Sequence, residues 1–111
     1  MDAREIKSWV ESAAYDGACS IVADFKQGVL DEETKSKIQK LKDDGVTDLI
    51  GAHADQLYND PDFLEDMLGD SVYDSANTGA GRLATIDELS KLNNYKAWND
   101  TIAKLKTQKW E

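Results

Sequence analysis

The chain has 111 residues, with 22 acidic side chains against 13 basic ones and a formal net charge of −9. One acidic domain spanning 1–111 is expected, because roughly 100–150 residues is the commonest domain size and buries a core without a metal or disulfide staple. The charge sign disfavours nucleic acid and anionic membranes as direct ligands, since both call for clustered Lys and Arg, and leaves basic proteins and divalent cations as the favoured partner classes.

The opening stretch MDAREIKSWVES carries acids and lacks a continuous apolar run, so neither a signal peptide nor a membrane span is expected. Cys19 is the single cysteine, which excludes an intrachain disulfide and fits a reducing, cytoplasmic setting. Its neighbours Ala18, Ile21 and Val22 mark it as a small buried hydrophobe.

Proline occurs once and glycine seven times, a composition that favours helices joined by short turns. The first helix starts at Asp2, with Glu5 placed to complete a capping box, and carries Ile6, Trp9, Val10, Ala13, Ala14, Ile21, Val22 and Phe25 at helical spacing. Asp16-Gly17 interrupts that pattern and predicts a kink or two shorter helices, and Gly28 is the expected terminator. The second helix opens at Asp31, with acids in its first turn and lysines 35, 37, 40 and 42 after them, the order that suits the helix dipole. Gly45 ends it and Thr47 is the expected cap of a third helix bearing Leu49, Ile50, His53, Leu57 and Tyr58.

Asn59-Asp60-Pro61-Asp62 marks the start of a fourth helix, with Asp60 as cap and Pro61 at the first helical position. Phe63, Leu64, Met67 and Leu68 form its apolar side, and Gly69 is expected to stop it. The glycine-rich stretch that follows reads as one long loop over about 69–84, pinned by Val72 and Tyr73. Thr85 and Glu88 form a capping box for a short fifth helix, and Asn94 caps a sixth with Tyr95, Trp98, Ile102 and Leu105 on one face. No strand or hairpin pattern appears. The fold class is therefore all-α: a compact single domain of five to six short helices, with the first and sixth as its long core elements.

The charge is not spread evenly. Residues 43–88 hold twelve acids and one base, Arg82, while 1–30, 31–42 and 89–111 are near neutral or basic. Two expectations compete: the lysines of the second and sixth helices fold back to neutralise this block, or the block faces a basic partner. Acids four apart on a helix sit about 6 Å apart, comparable with phosphates along a nucleic-acid strand, so the block could compete for a nucleic-acid-binding groove. The candidate partner-binding residues are Asp55, Asp60, Asp62, Glu65, Asp66, Asp70 and Asp74, with Tyr58 and Tyr73 as apolar anchors. Trp9 and Trp98 fall on apolar faces and are assigned to the core, whereas Trp110 is divided between packing and contact with a partner.

No constellation for catalysis emerges. His53 is the only histidine, and the i,i+2 spacing to Asp55 points the two side chains in different directions, so a partly buried helix residue is expected. No EF-hand loop follows Asp43-Asp44-Gly45. Thr78-Gly79-Ala80-Gly81-Arg82 lacks the lysine and hydroxyl of a nucleotide-binding loop and reads as a turn, with Arg82 either paired to nearby acids or marking one end of a contact surface. No enzyme activity, cofactor or metal is expected. In size, charge and lack of catalytic apparatus the chain resembles, in general type, the small acidic helical proteins of bacteriophages and mobile elements, many of which block host enzymes. That likeness implies an inhibitor or modulator of a basic nucleic-acid-handling protein. An antitoxin or immunity protein and a self-associating structural subunit are the alternatives.

Overall fold

The computed structural model describes residues 2–110. Its six helices are α1 (Ala3–Gln27), α2 (Glu32–Asp43), α3 (Leu49–Tyr58), α4 (Pro61–Ser75), α5 (Gly79–Leu89) and α6 (Lys96–Lys106), and no strand occurs among the described residues. Four helices start at an aspartate whose carboxylate accepts a backbone N–H of the first turn: Asp2 from Glu5, Asp31 from Thr34, Asp48 from Gly51 and Asp60 from Asp62, all within 3.0 Å. Part of the high aspartate content therefore satisfies helix ends, which otherwise leave four donors unmet. Asp48, not Thr47, caps α3. α6 begins at Tyr95 without a side-chain cap of its own. Asn93, rather than Asn94, accepts the Tyr95 N–H at 2.9 Å.

α1 runs without interruption through Asp16-Gly17 for 25 residues and ends at Gly28, whose φ of 73° is the left-handed closing conformation. Gly17 faces α3, where a Cβ would meet Leu57 Cδ1 at 3.4 Å. It thus marks a close helix–helix approach rather than a kink.

The expected long loop over 69–84 is replaced by helix. α4 continues to Ser75, α5 begins at Gly79, and only residues 76–78 connect them. The small residues that read as loop lie where helices pack closely. Ser71 and Val72 are buried, and the Ser71 and Ser75 hydroxyls donate back to the carbonyls of Met67 and Val72. Thr78 rather than Thr85 caps α5, accepting the Gly81 N–H at 3.1 Å. Thr85 sits inside α5, where its hydroxyl donates to the Gly81 carbonyl.

Ile6, Val10 and Ala14 of α1, Tyr58 of α3, Leu64, Leu68 and Val72 of α4, Ile86 and Leu89 of α5, and Trp98, Ile102 and Leu105 of α6 form the main core. α2 packs only against α1 and α3, and its buried Ile38 lies outside that core, as do Ala18 and Val22 of α1. The molecule is therefore elongated, with extents of 46 × 24 × 21 Å and a radius of gyration of 15.7 Å, against about 13 Å for a rounded domain of this length. α4, with 15 residues, exceeds the 11 of α6 and is the second-longest core helix. Among the described residues no helix is long and apolar enough to cross a membrane.

Candidate interaction surface

α4 turns Leu64, Leu68, Ser71 and Val72 into the core. Its opposite side therefore carries Asp62, Asp66, Asp70 and Asp74, all exposed, at four-residue intervals. Four residues advance an α-helix by 1.1 turns, so this row winds slowly around the axis over about 18 Å. Tyr73, 59 % exposed, sits within the row. α6 packs along α4, yet only Lys104 reaches across: its Nζ lies 2.7 Å from Glu65 Oε2. That contact, with Asp62 adding a smaller attraction, holds the Lys104 ammonium above its ordinary pKa. Among the described residues Asp62, Asp66, Asp70 and Asp74 form no ion pair. The lysines of α2 and α6 thus neutralise little of the block. Lys40 pairs with Asp44 on its own helix flank, and Lys96 pairs with Asp100.

A groove of about 260 Å³ runs beside this row, between Glu65, Asp66, Gly69, Asp70 and Tyr73 of α4 and the end of α6 at Leu105, Gln108 and Trp110. Trp110 is half-buried there, and its Nε1–H donates to the Leu105 carbonyl at 2.9 Å. Arg82, the one base of residues 43–88, is buried. Its Nε donates to the Tyr73 carbonyl at 3.1 Å and its guanidinium lies 4.1 Å from the Tyr73 ring centroid. A cation against the last carbonyls of α4 complements the negative end of that helix's dipole. Arg82 therefore anchors the C-terminal end of the acidic row.

Asp55 and Tyr58 do not belong to that face. Both lie on α3 and line a separate cleft of about 510 Å³ between α1, α3 and the 92–95 turn. Tyr58 is only 9 % exposed, which corrects its assignment as a surface anchor. Asn93 Nδ2 donates to its hydroxyl at 2.9 Å, and its ring packs against Tyr95 edge-on at 6.0 Å and against Trp98 at 5.9 Å. Burial raises the Tyr58 hydroxyl above its ordinary pKa. Lys7, paired with Glu11 at 2.7 Å on the same cleft wall, is raised by that hydrogen bond. Tyr15, Asn93 and Tyr95 also line the cleft and were not singled out from sequence as site residues. Only tertiary packing brings residues 92–95 beside α1.

His53 is 3 % exposed, with Nδ1 2.8 Å from Gln56 Oε1. Since that oxygen accepts, Nδ1 carries the proton, and Nε2 is buried without a hydrogen-bond partner. Cys19 is half-buried rather than buried. Among the described residues no three His, Cys, Asp or Glu side chains converge on a metal-sized site. Comparison with protein-family profiles, curated proteins and solved structures finds no match to this chain.

Proposed function

We propose that this protein is a non-enzymatic acidic inhibitor or modulator, of the kind carried by bacteriophages and mobile elements, that acts in the cytoplasm on a basic nucleic-acid-handling protein. The α4 face is the contact surface. One observation carries this reading: four exposed aspartates stand in a row with no ion pair among the described residues, although a lysine-bearing helix packs directly alongside. Like charges at i,i+4 spacing destabilise a helix by a few tenths of a kcal/mol per pair, so folding alone gives no reason to keep them. A cationic groove that ordinarily holds nucleic acid supplies the missing countercharge. Tyr73 within the row and Trp110 across the groove add the aromatic surface at which binding energy concentrates.

The test compares wild type with Asp66→Asn, Asp70→Asn and Asp74→Asn combined. Asp60 and Glu65 stay intact because they cap α4 and pair with Lys104. Immobilised wild type is expected to retain basic proteins from a host lysate, released both by added salt and by competing double-stranded DNA. Three lost charge contacts at about 0.5 kcal/mol each weaken retention roughly tenfold in the variant. Equal retention of the same proteins by both, or indifference to DNA, rejects the reading.

A further inference from the structure

The cleft between α1, α3 and the 92–95 turn has a chemistry distinct from that of the α4 face. Its volume of about 510 Å³ lies within the roughly 300–1,000 Å³ of small-molecule sites. Half of its polar side chains already serve one another. Lys7 is bound to Glu11, Asn93 Nδ2 donates to the Tyr58 hydroxyl, and Asn93 Oδ1 accepts the Tyr95 N–H. A primary ammonium, which needs three acceptors, finds one unpaired carboxylate here, Asp55, and must otherwise compete for these contacts. A phosphate meets the Glu11 and Asp55 carboxylates against the single Lys7.

What remains beside a few neutral hydroxyl and amide groups is aromatic surface and one charge. Tyr15 and Tyr95 are each about half exposed, Tyr58 lies edge-on to Tyr95, and the Asp55 carboxylate has no ion-pair partner among the described residues. Gly51 and Ala54 of α3 also line the cleft. Two half-exposed tyrosine rings with a net negative charge attract a cation through their quadrupoles and require no hydrogen bonds from it. We infer that this cleft binds an alkylated ammonium group, the chemistry shared by free quaternary amines and the methylated lysine side chain of a partner. The site is independent of the α4 face.

Three probes are titrated against the full chain and followed by NMR: choline, its neutral analogue with carbon in place of nitrogen, and a short peptide carrying trimethyllysine. Choline or the peptide is expected to shift the resonances of Tyr15, Asn93 and Tyr95 while leaving Tyr73 and Trp110 unmoved. The neutral analogue binds roughly two- to fivefold more weakly, the size of one exposed cation–π contact. Tyr95→Leu weakens binding by a similar factor. Tyr15→Leu does the same at a position outside the core and guards against a folding defect in the first variant. The combined Asp66→Asn, Asp70→Asn and Asp74→Asn variant binds the probes as wild type does, so loss of the α4 surface and loss of this site are separately visible. Choline binding assigns the source to a free amine, and binding of the peptide alone assigns it to a partner's side chain. Equal binding of the neutral analogue, no shift at the cleft with either cation, or indifference to both tyrosine substitutions overturns the assignment.

Discussion

Trp9 and Trp98 look alike in sequence, each beside apolar residues at helical spacing, and they end in opposite surroundings. Trp98 is wholly buried, donates its Nε1–H to the Leu89 carbonyl at 3.0 Å and packs against Tyr58, thereby joining α6 to the ends of α5 and α3. Trp9 is 44 % exposed because the buried line of α1 runs Ile6, Val10, Ala14, Ala18, Val22, one position away. Helical periodicity identifies an apolar stripe, but which residue occupies its centre depends on where the neighbouring helices lie. Trp98→Ala is expected to cost about 3–5 kcal/mol, the range for emptying an aromatic site in a core. That is a large part of the ~5–15 kcal/mol that holds a domain of this size together. Trp9→Ala is expected to cost under ~1 kcal/mol, since much of its surface stays in water. Urea denaturation followed by circular dichroism separates the two, and equal losses would contradict the placement of both rings. Tyr58 teaches the same point at the interaction surface, where its position beside the acidic helix is legible in sequence but its inward rotation is not.

Three helix starts are readable from a locally capping aspartate, whereas Asp48 and Thr78 cap α3 and α5 in place of the expected Thr47 and Thr85. Asp2, Asp31 and Asp60 all cap as their sequence positions indicate, and Asp60-Pro61 places α4 to the residue. Gly28 closes α1 as its position indicates, but the glycines inside α4 and α5 look like loop residues because their role there is steric. The stretch from Gly69 to Gly81 resembles a loop by composition, yet Gly69 lies under Leu105 of α6 and Gly81 fits against Ala76 at the α4–α5 turn. Close approach of two helices and a flexible connection select the same small residues, so composition alone does not distinguish them. The two glycines of greatest diagnostic value are 17 and 81. At Gly17 an added Cβ makes an ordinary 3.4 Å contact with Leu57, and Gly→Ala inside a helix gains about 0.5–1 kcal/mol. Gly17→Ala is therefore expected to raise stability by that amount. At Gly81 an added Cβ falls 2.8 Å from Ala76 Cβ and 3.2 Å from the capping hydroxyl of Thr78. Gly81→Ala is expected to destabilise by about 1 kcal/mol or more despite the better helix propensity. Thermal melts of the two variants should move in opposite directions, and a stabilising Gly81→Ala would mean that the turn is looser than its geometry.

Across the whole molecule, the net charge of −9 resolves into separate roles. Asp48 and Asp60 cap helices, Glu65 is held by Lys104, and Arg82 stands at the end of α4, while the four carboxylates of the Asp62–Asp74 row, like Asp55, have no ion pair among the described residues. The location of this row was visible in sequence as a segment without Lys or Arg. Its isolation was not, because that depends on which lysines the packing of α6 brings across. The row has a consequence for folding that is measurable without a partner. Asp62 stands in the first turn of α4, where the helix dipole favours a negative charge, whereas Asp74 stands in the last turn, where it does not. Ionisable contacts elsewhere change little near neutral pH. Lys7 and Lys104 are raised above 10.5, so their stabilisation is complete below that value and is lost only as pH rises through the higher folded values. Asp31 is lowered below 3.8, so its contribution is present above that value and is lost as pH falls through the folded one. Between these limits the repulsion along α4 is an electrostatic term that salt can screen. Replacing Asp66, Asp70 and Asp74 together by Asn removes three like-charge i,i+4 contacts at nearly unchanged helix propensity, a gain of about 1 kcal/mol or roughly 4 °C in Tm at low salt. Added salt should raise the wild-type Tm towards that of the variant and move the variant much less, because the Debye length falls to about 10 Å at 0.1 M. If the variant is no more stable than wild type at low ionic strength, the row is balanced in solution, and the case for an external countercharge falls with it.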